Sequence, residues 1–249
     1  MFLLKSSNQH GIHSPFVFDL ATKCFYDQTK YSEYSVLKQY RQSLLQNQAT
    51  IEVTDFGAGS KVFRSNARSI SRIAKIAGIS AKRGELLFRI ANYLKPGNIL
   101  ELGTSLGLAT IAMSVANRES KITTLEGCLQ TGNIAQHELD KSDATNIDMV
   151  VTEFKDYLNQ HIASSKFELI YFDGNHKKQA TLDYIELLLP TVTNETLWIF
   201  DDIHWSPEME ATWEVIKNLP GVTVTIDTFQ WGLVFFRSEQ KKEHFIVRV

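Results

Sequence analysis

Acidic side chains at or near the ends of apolar runs carry most of the chemical content of this sequence. The runs NILEL (98–102) and KITTLE (121–126) deliver Glu101 and Glu126. The runs FELIYFD (167–173) and TLWIFDD (196–202) end in Asp173 and in the pair Asp201 and Asp202. A carboxylate that closes a strand as apolar as 169–172 costs free energy unless it meets a cation or hydrogen-bond donors. Adjacent strand ends of an open parallel sheet lie about 5 Å apart, so Asp173, Asp201 and Asp202 are expected to converge. Oxygen-only donors of this kind suit Mg²⁺, Ca²⁺ or Mn²⁺, which makes these three the candidate metal ligands. The competing reading is that Asp173 meets a ligand's ammonium group while Asp201 and Asp202 cap the loop or orient a base. His176 follows Asp173 by three residues. The ordinary titration range of an imidazole suits a general base for a hydroxyl proton. His204, after the second acidic run, is a further candidate for that work.

Two stretches combine an acid with paired glycines, VTDFGAGSKV (53–62) and ILELGTSLGLAT (99–110). In the second, a buried strand brings Glu101 and Gly103 to its carboxyl end, where open α/β sheets bind ligands. Gly103 and Gly107 flank the turn, and a helix follows. Glu126 closes the next strand, where a carboxylate accepts hydrogen bonds from both hydroxyls of a ribose. The dinucleotide fingerprint G-x-G-x-x-G is not met, because Ser105 and Leu108 stand at two of its glycine positions. Close approach of a helix N-terminus to a pyrophosphate is therefore not prepared, and a nucleoside without phosphates is the better guest. In the first stretch the same fingerprint fails at Val62, and no strand ending in an acid follows. It reads as a tight turn or hairpin with a structural or substrate-facing role, its glycines marking positive φ.

The elements that position these residues alternate. Apolar runs at 98–102, 121–126, 147–151, 167–173 and 196–202 are separated by helical stretches, a pattern that gives a parallel sheet with helices on both faces. GELLFRIANYL (84–94) is the helix leading into the first core strand. In SPEMEATWEVIKNLPG, Ser206 is a good N-cap, Pro207 suits the first helical position, and Pro220–Gly221 ends the helix. VTVTIDTF (222–229) and GLVFFR (232–237) are separated by Gln230 and Trp231 alone. No helical crossover fits there, so they form an antiparallel hairpin. The first 80 residues read as a mainly helical extension, with one short strand-like piece, IEVTDF (51–56), packing on a core domain at 81–249. Within the extension, HGIHSPF (10–16) offers two histidines that could line a pocket or form a plain N-terminal loop. The stretch KVFRSNARSISRIAKIAG reads as a helix with Arg64, Arg68 and Arg72 on one face, extended by Lys61 and Lys75.

Composition narrows the function classes. The hydrophobic fraction is 43%, the charged fraction 22% and the formal net charge -2, ordinary values that call for neither nucleic acid nor an anionic membrane. The two cysteines, Cys24 and Cys128, fit a reducing compartment. The apolar run at the N-terminus is too short for a secretory signal, and no stretch reaches the ~20 residues of a membrane span. A cytoplasmic protein is expected.

ELGTSLG, Glu126, FELIYFDGNH and WIFDDIHW, in that order and each at a strand end, resemble the class I S-adenosylmethionine-dependent methyltransferases, and within them the catechol O-methyltransferase-like branch. The resemblance covers roughly residues 80–237 and implies an α/β, Rossmann-like fold with a seven-stranded, mostly parallel sheet that ends in an antiparallel hairpin. It implies methyl transfer from S-adenosylmethionine to a small-molecule acceptor, most readily at oxygen. By this resemblance Glu101, Gly103, Thr104, Ser105 and Gly107 surround the methionine moiety, Glu126 holds the ribose, Gly127 and Cys128 border the adenine, and Glu153 and Phe154 reach the adenine ring and its amino group. Asp173 lies at the reacting end. The branch uses a lysine where His176 stands, and Lys177 is adjacent. Its metal-dependent members hold a divalent cation such as Mg²⁺ with two aspartates and an asparagine. Asp202 replaces that asparagine here, so the match is incomplete. A non-catalytic nucleoside-binding module and a nucleic-acid methyltransferase are the alternatives. The second usually needs a broader basic surface, and no Asn-Pro-Pro-aromatic motif is present. The acceptor is not readable, and a homo-oligomer is left open.

Overall fold

A computed structural model describes residues 2, 6–57, 59, 63, 65–162 and 165–249. The chain divides into two compact units, one of Met1–Asp27 with Lys155–Val249 and one of Gln28–Phe154. The first unit opens with helix α1 (Pro15–Leu20), for which Ser14 is the N-cap: its Oγ accepts from the Val17 N–H at 3.4 Å. Val17 and Leu20 are fully buried, and the Phe16 ring meets Phe235 edge-on at 5.0 Å. HGIHSPF is therefore spent on starting and seating a helix, with His10 and His13 exposed.

The second unit contains α2 (Tyr34–Gln46), β1 (Thr50–Glu52), β2 (Ala67–Ser69), α3 (Ile70–Ile76), α4 (Ala81–Leu94), β3 (Asn98–Leu102), α5 (Leu108–Ala116), β4 (Lys121–Glu126), α6 (Leu129–Asp140) and β5 (Ile147–Val151). β3, β4 and β5 are parallel neighbours, with the bounds expected from their apolar runs. α4 starts at Ser80, whose Oγ accepts from the Arg83 N–H, and buries Leu87, Ile90 and Ala91 on one face. α2 packs against α3, α4 and α5.

β1 and β2 form a short antiparallel pair, Thr50 opposite Ser69. This corrects the basic helix expected from residue 61. The helix is confined to Ile70–Ile76, so Arg68 lies on a strand and Arg72 on a helix. The pair is tied by the Val53 N–H donating to the Asn66 carbonyl, a long-range bond to which local periodicity is blind. Arg68 and Arg72 instead place their guanidinium groups 4.7 and 5.3 Å from the Phe63 ring centroid. Ala58, Ser60, Lys61, Val62 and Arg64 lie outside the described residues.

Beyond α7 (Phe154–His161), the first unit resumes with β6 (Leu169–Phe172), α8 (Lys178–Leu188), β7 (Leu197–Asp201), α9 (Pro207–Lys217), β8 (Val224–Asp227), β9 (Trp231–Phe235) and β10 (Glu243–Ile246). Their order is β10-β8-β9-β7-β6. β6 and β7 are parallel, and β9 is antiparallel to both β7 and β8, as the two-residue connection demanded. α9 begins as expected, with Ser206 accepting from the Met209 N–H at 3.2 Å. The expected sheet lacked one strand. β10 runs parallel to β8, and its short, half-polar EHFI reads weakly as a strand because only part of it is covered.

Candidate functional site

The turn after β3 is built from strained backbone. Gly103, Ser105 and Gly107 all have positive φ, at 109°, 49° and 76°. The Gly103 and Thr104 N–H groups both donate to the Leu125 carbonyl of β4, at 2.9 and 3.0 Å. Glycine at 107 is required twice over. Besides its φ, a Cβ there would stand 2.5 Å from Tyr40 Oη. That hydroxyl, carried by α2, donates to the Leu106 carbonyl at 2.9 Å, so the N-terminal helix closes the back of the turn.

Glu101 is fully buried beneath this turn. Its Oε2 accepts from Thr110 at 2.5 Å and from Thr124 at 2.6 Å. Since the Thr124 hydrogen is used on Glu101, the Thr104 hydroxyl, 2.6 Å from Thr124, is the donor of that pair. Glu101 Oε1 is buried and has no hydrogen-bond partner among the described residues. Burial pushes its carboxyl up to about 7, against the pull of the two hydroxyls. Such a carboxylate is costly alone and becomes favourable once a cationic donor arrives.

Glu126 closes β4 with both oxygens held by backbone. Oε2 accepts from the Ser105 N–H at 2.8 Å and Oε1 from the Cys128 N–H at 2.9 Å. Burial still raises its carboxyl above the usual range, with the nearby charge of Asp55 adding to this. Beyond it, Gly127 carries the Phe56 ring on its backbone, 2.8 Å from where a Cβ would be. Cys128 is buried. Its Sγ accepts from the Thr54 N–H and faces the Glu52 carbonyl. Glu153 is exposed and Phe154 half-buried.

In the other unit, Asp173 and His176 follow β6, with Nε2 of the imidazole 3.8 Å from Asp173 Oδ1. The His176 ring lies 6.1 Å from that of Trp205 and is partly open to solvent. Lys177 is exposed. Asp201 at the end of β7 is buried; its oxygens accept from the Tyr171 hydroxyl at 3.2 Å and the Asp202 N–H at 2.7 Å. Asp202 sits at φ 53°. His204 has a carboxylate at each ring nitrogen, Asp227 at 2.9 Å and Glu210 at 3.3 Å, and stacks on Phe229. Neither nitrogen is offered to a substrate. Among the described residues, no group of three or more His, Cys, Asp or Glu side chains is placed to hold a metal ion.

The family model for the methyltransferase domain matches residues 100–203, the stretch from β3 to the loop after β7. A catechol O-methyltransferase from Mycobacterium tuberculosis is 24% identical over 157 residues, 62% of this chain and 68% of that protein. Among solved structures, the O-methyltransferase TomG from Streptomyces achromogenes, crystallised with S-adenosylmethionine, superposes with a TM-score of 0.60 at 16% identity, over 84% of this chain and 92% of its own. The S-adenosylhomocysteine-bound methyltransferase PaMTH1 from Podospora anserina gives 0.62 at 13% identity, over 92% and 97%. The fold is the Rossmann-like α/β fold of these enzymes.

The site recruits residues that the sequence reading missed. Thr110 and Thr124 fix Glu101, and Tyr40 and Phe56 reach the turns from outside the matched stretch. A pair of threonines in a mostly apolar strand, Thr123 and Thr124, was the available signal for one of them. Tyr40 and Phe56 left none, since their contacts are set by tertiary packing. No described helix is long and apolar enough to cross a membrane.

Proposed function

We propose that the chain transfers a methyl group from S-adenosylmethionine to an oxygen of a small-molecule acceptor. The observation that carries this reading is the buried Glu101 with its unpartnered Oε1, beside Glu126 at the end of the next strand. An ammonium group and a ribose diol are the ligand features that these two carboxylates suit. Glu101 takes the cofactor's ammonium, with Gly103, Thr104, Ser105 and Gly107 allowing backbone approach. Glu126 takes the ribose, exchanging its backbone donors for hydroxyls. Gly127, Cys128, Glu153 and Phe154 border the adenine.

When bound, the sulfonium supplies an electrophilic methyl group and departs as a neutral thioether. The protein's own work is alignment and proton removal. His176 accepts the acceptor's hydroxyl proton, and Asp173 stabilises the imidazolium formed. Lys177 is exposed and His204 is engaged on both sides, which favours His176 among the three. No step is routed through a metal. The O-methyltransferase relatives support oxygen as the acceptor atom.

The test is a calorimetric titration of S-adenosylhomocysteine into wild type and Glu126→Ala, with and without Mg²⁺. Micromolar binding that the variant loses is expected. Absence of wild-type binding overturns the assignment.

A further inference from the structure

The first glycine stretch, DFGAGS, lies in the same unit as the cofactor turn, and its described part approaches that turn at one place. The Phe56 ring lies on Gly127, the residue immediately after Glu126, with three ring carbons within 2.8–3.5 Å of an ideal Cβ position there. Glycine at 127 is what lets the ring come so close. Phe56 is nevertheless 47% exposed: one part of the ring is seated on backbone and another is open. Exposed apolar side chains gathered in one place, rather than scattered singly, mark a binding surface.

The segment bearing Phe56 is pinned on both sides. The Glu52 N–H donates to Gln130 Oε1 at 2.8 Å, and the Thr54 N–H donates to Cys128 Sγ at 3.3 Å. Asp55 Oδ1 accepts from the Gly57 N–H at 2.9 Å, while its other oxygen lies 3.6 Å from Arg68. Two of these ties, those from Glu52 and Thr54, run to the first residues around α6, the element that follows the ribose-binding acid. Around the same strand ends, Leu129 at the start of α6 is 62% exposed and Val151 at the end of β5 is 40% exposed. Apolar side chains therefore stand uncovered just past the carboxylate assigned to the ribose.

We propose that Phe56 is a cofactor-binding residue that stacks on the adenine ring, with Leu129 and Val151 completing an apolar seat for the base. This deepens the cofactor reading above and rests on it. The first glycine stretch then has a role that its failed fingerprint concealed: it brings an aromatic ring from outside the matched stretch to the base end of the nucleoside. Base–aromatic stacking tolerates any base and depends on ring area, so a Trp or Tyr replacement retains it and an Ala does not.

The experiment is a calorimetric titration of wild type, Phe56→Ala, Phe56→Trp and Glu101→Gln with two probes, S-adenosylhomocysteine and 5′-methylthioadenosine, which lacks the amino-acid part. Phe56→Ala is expected to weaken both by roughly ten- to a hundredfold, with Phe56→Trp near wild type. Glu101→Gln is expected to weaken S-adenosylhomocysteine alone. Unchanged binding of both probes by a folded Phe56→Ala overturns the proposal while leaving the cofactor reading intact. Tighter binding also overturns it, since the ring would then be an obstacle over Gly127. If wild type binds neither probe, the cofactor reading falls and this proposal with it. Phe56→Trp adds a readout independent of folding: its fluorescence changes on addition of methylthioadenosine if the ring meets the base, and stays constant if it does not.

Discussion

Glu101 ties the stability of the protein to pH. Its folded-state value of about 7 lies above the ordinary 4.5, so the folded protein holds that proton more tightly than the unfolded chain does. The group's contribution favours folding fully below pH ~4.5 and is lost as pH rises through 7. Glu101→Gln removes this dependence. The difference in unfolding free energy between wild type and variant should shift by roughly 3 kcal/mol across that interval, measured by urea denaturation at a series of pH values. A flat difference would show that Glu101 ionises freely. The cofactor's ammonium works in the opposite sense, drawing the carboxyl into its charged form. Binding of S-adenosylhomocysteine near pH 6 should therefore release a proton, visible as a buffer-dependent calorimetric enthalpy. At the acceptor end, His176→Ala should lower kcat by about 10²–10⁴ and leave the affinity for S-adenosylhomocysteine within twofold. A parallel loss of affinity would mark His176 as part of the scaffold.

At the scale of elements, the turn after β3 depends on α2. Gly107→Ala forces a side chain into positive φ and against Tyr40 Oη. A loss of about 2–3 kcal/mol is expected, read from thermal or chemical unfolding. Tyr40→Phe alone should cost about 1 kcal/mol for the bond to Leu106. Because the hydroxyl is also the atom in the way, the double variant should lose less than the two single losses combined. Strict additivity would mean that the strain lies in the backbone alone. What could be read in advance follows from range. The bounds of β3, β4 and β5 and the Ser206 start of α9 depend on neighbours within a few residues, and they were legible. The acids at strand ends were legible too, because burying a charge needs a reason. The β1–β2 pair was legible on one side only: IEVTDF (51–56) reads as strand-like and overlaps β1, but its partner Ala67–Ser69 is three residues without a period, and the apolar spacing of Ile70 and Ile73 extended the imagined helix backward over Arg68. The engagement of His204 by Asp227 and Glu210 was not legible, because it depends on where β8 and α9 end up.

For the whole molecule, the unit built from both ends of the chain depends on its last strand. β10 covers β8, the Ser7 N–H donates to the Ile246 carbonyl, and the Tyr26 hydroxyl donates to the Arg248 carbonyl at 2.5 Å. Deleting residues 243–249 should leave β8 as an open edge prone to association. Amide exchange in β8 should accelerate and concentration-dependent aggregation should appear. Retained β8 protection would show that β10 is decoration.

The same arrangement imposes a schedule on synthesis. Residues Met1–Asp27, with Val17, Leu20 and Phe25 buried, leave the ribosome well before the rest of their unit, which begins at Lys155. At roughly 5–20 residues per second, that segment waits on the order of ten seconds or more with its apolar side uncovered, a natural client for a chaperone. Joining the two termini, which the Ser7–Val247 bridge already brings together, and reopening the chain between Asp27 and Gln28 would let each unit be translated without interruption. Such a permuted chain should reach the soluble fraction of a chaperone-depleted translation reaction more readily than the native order does.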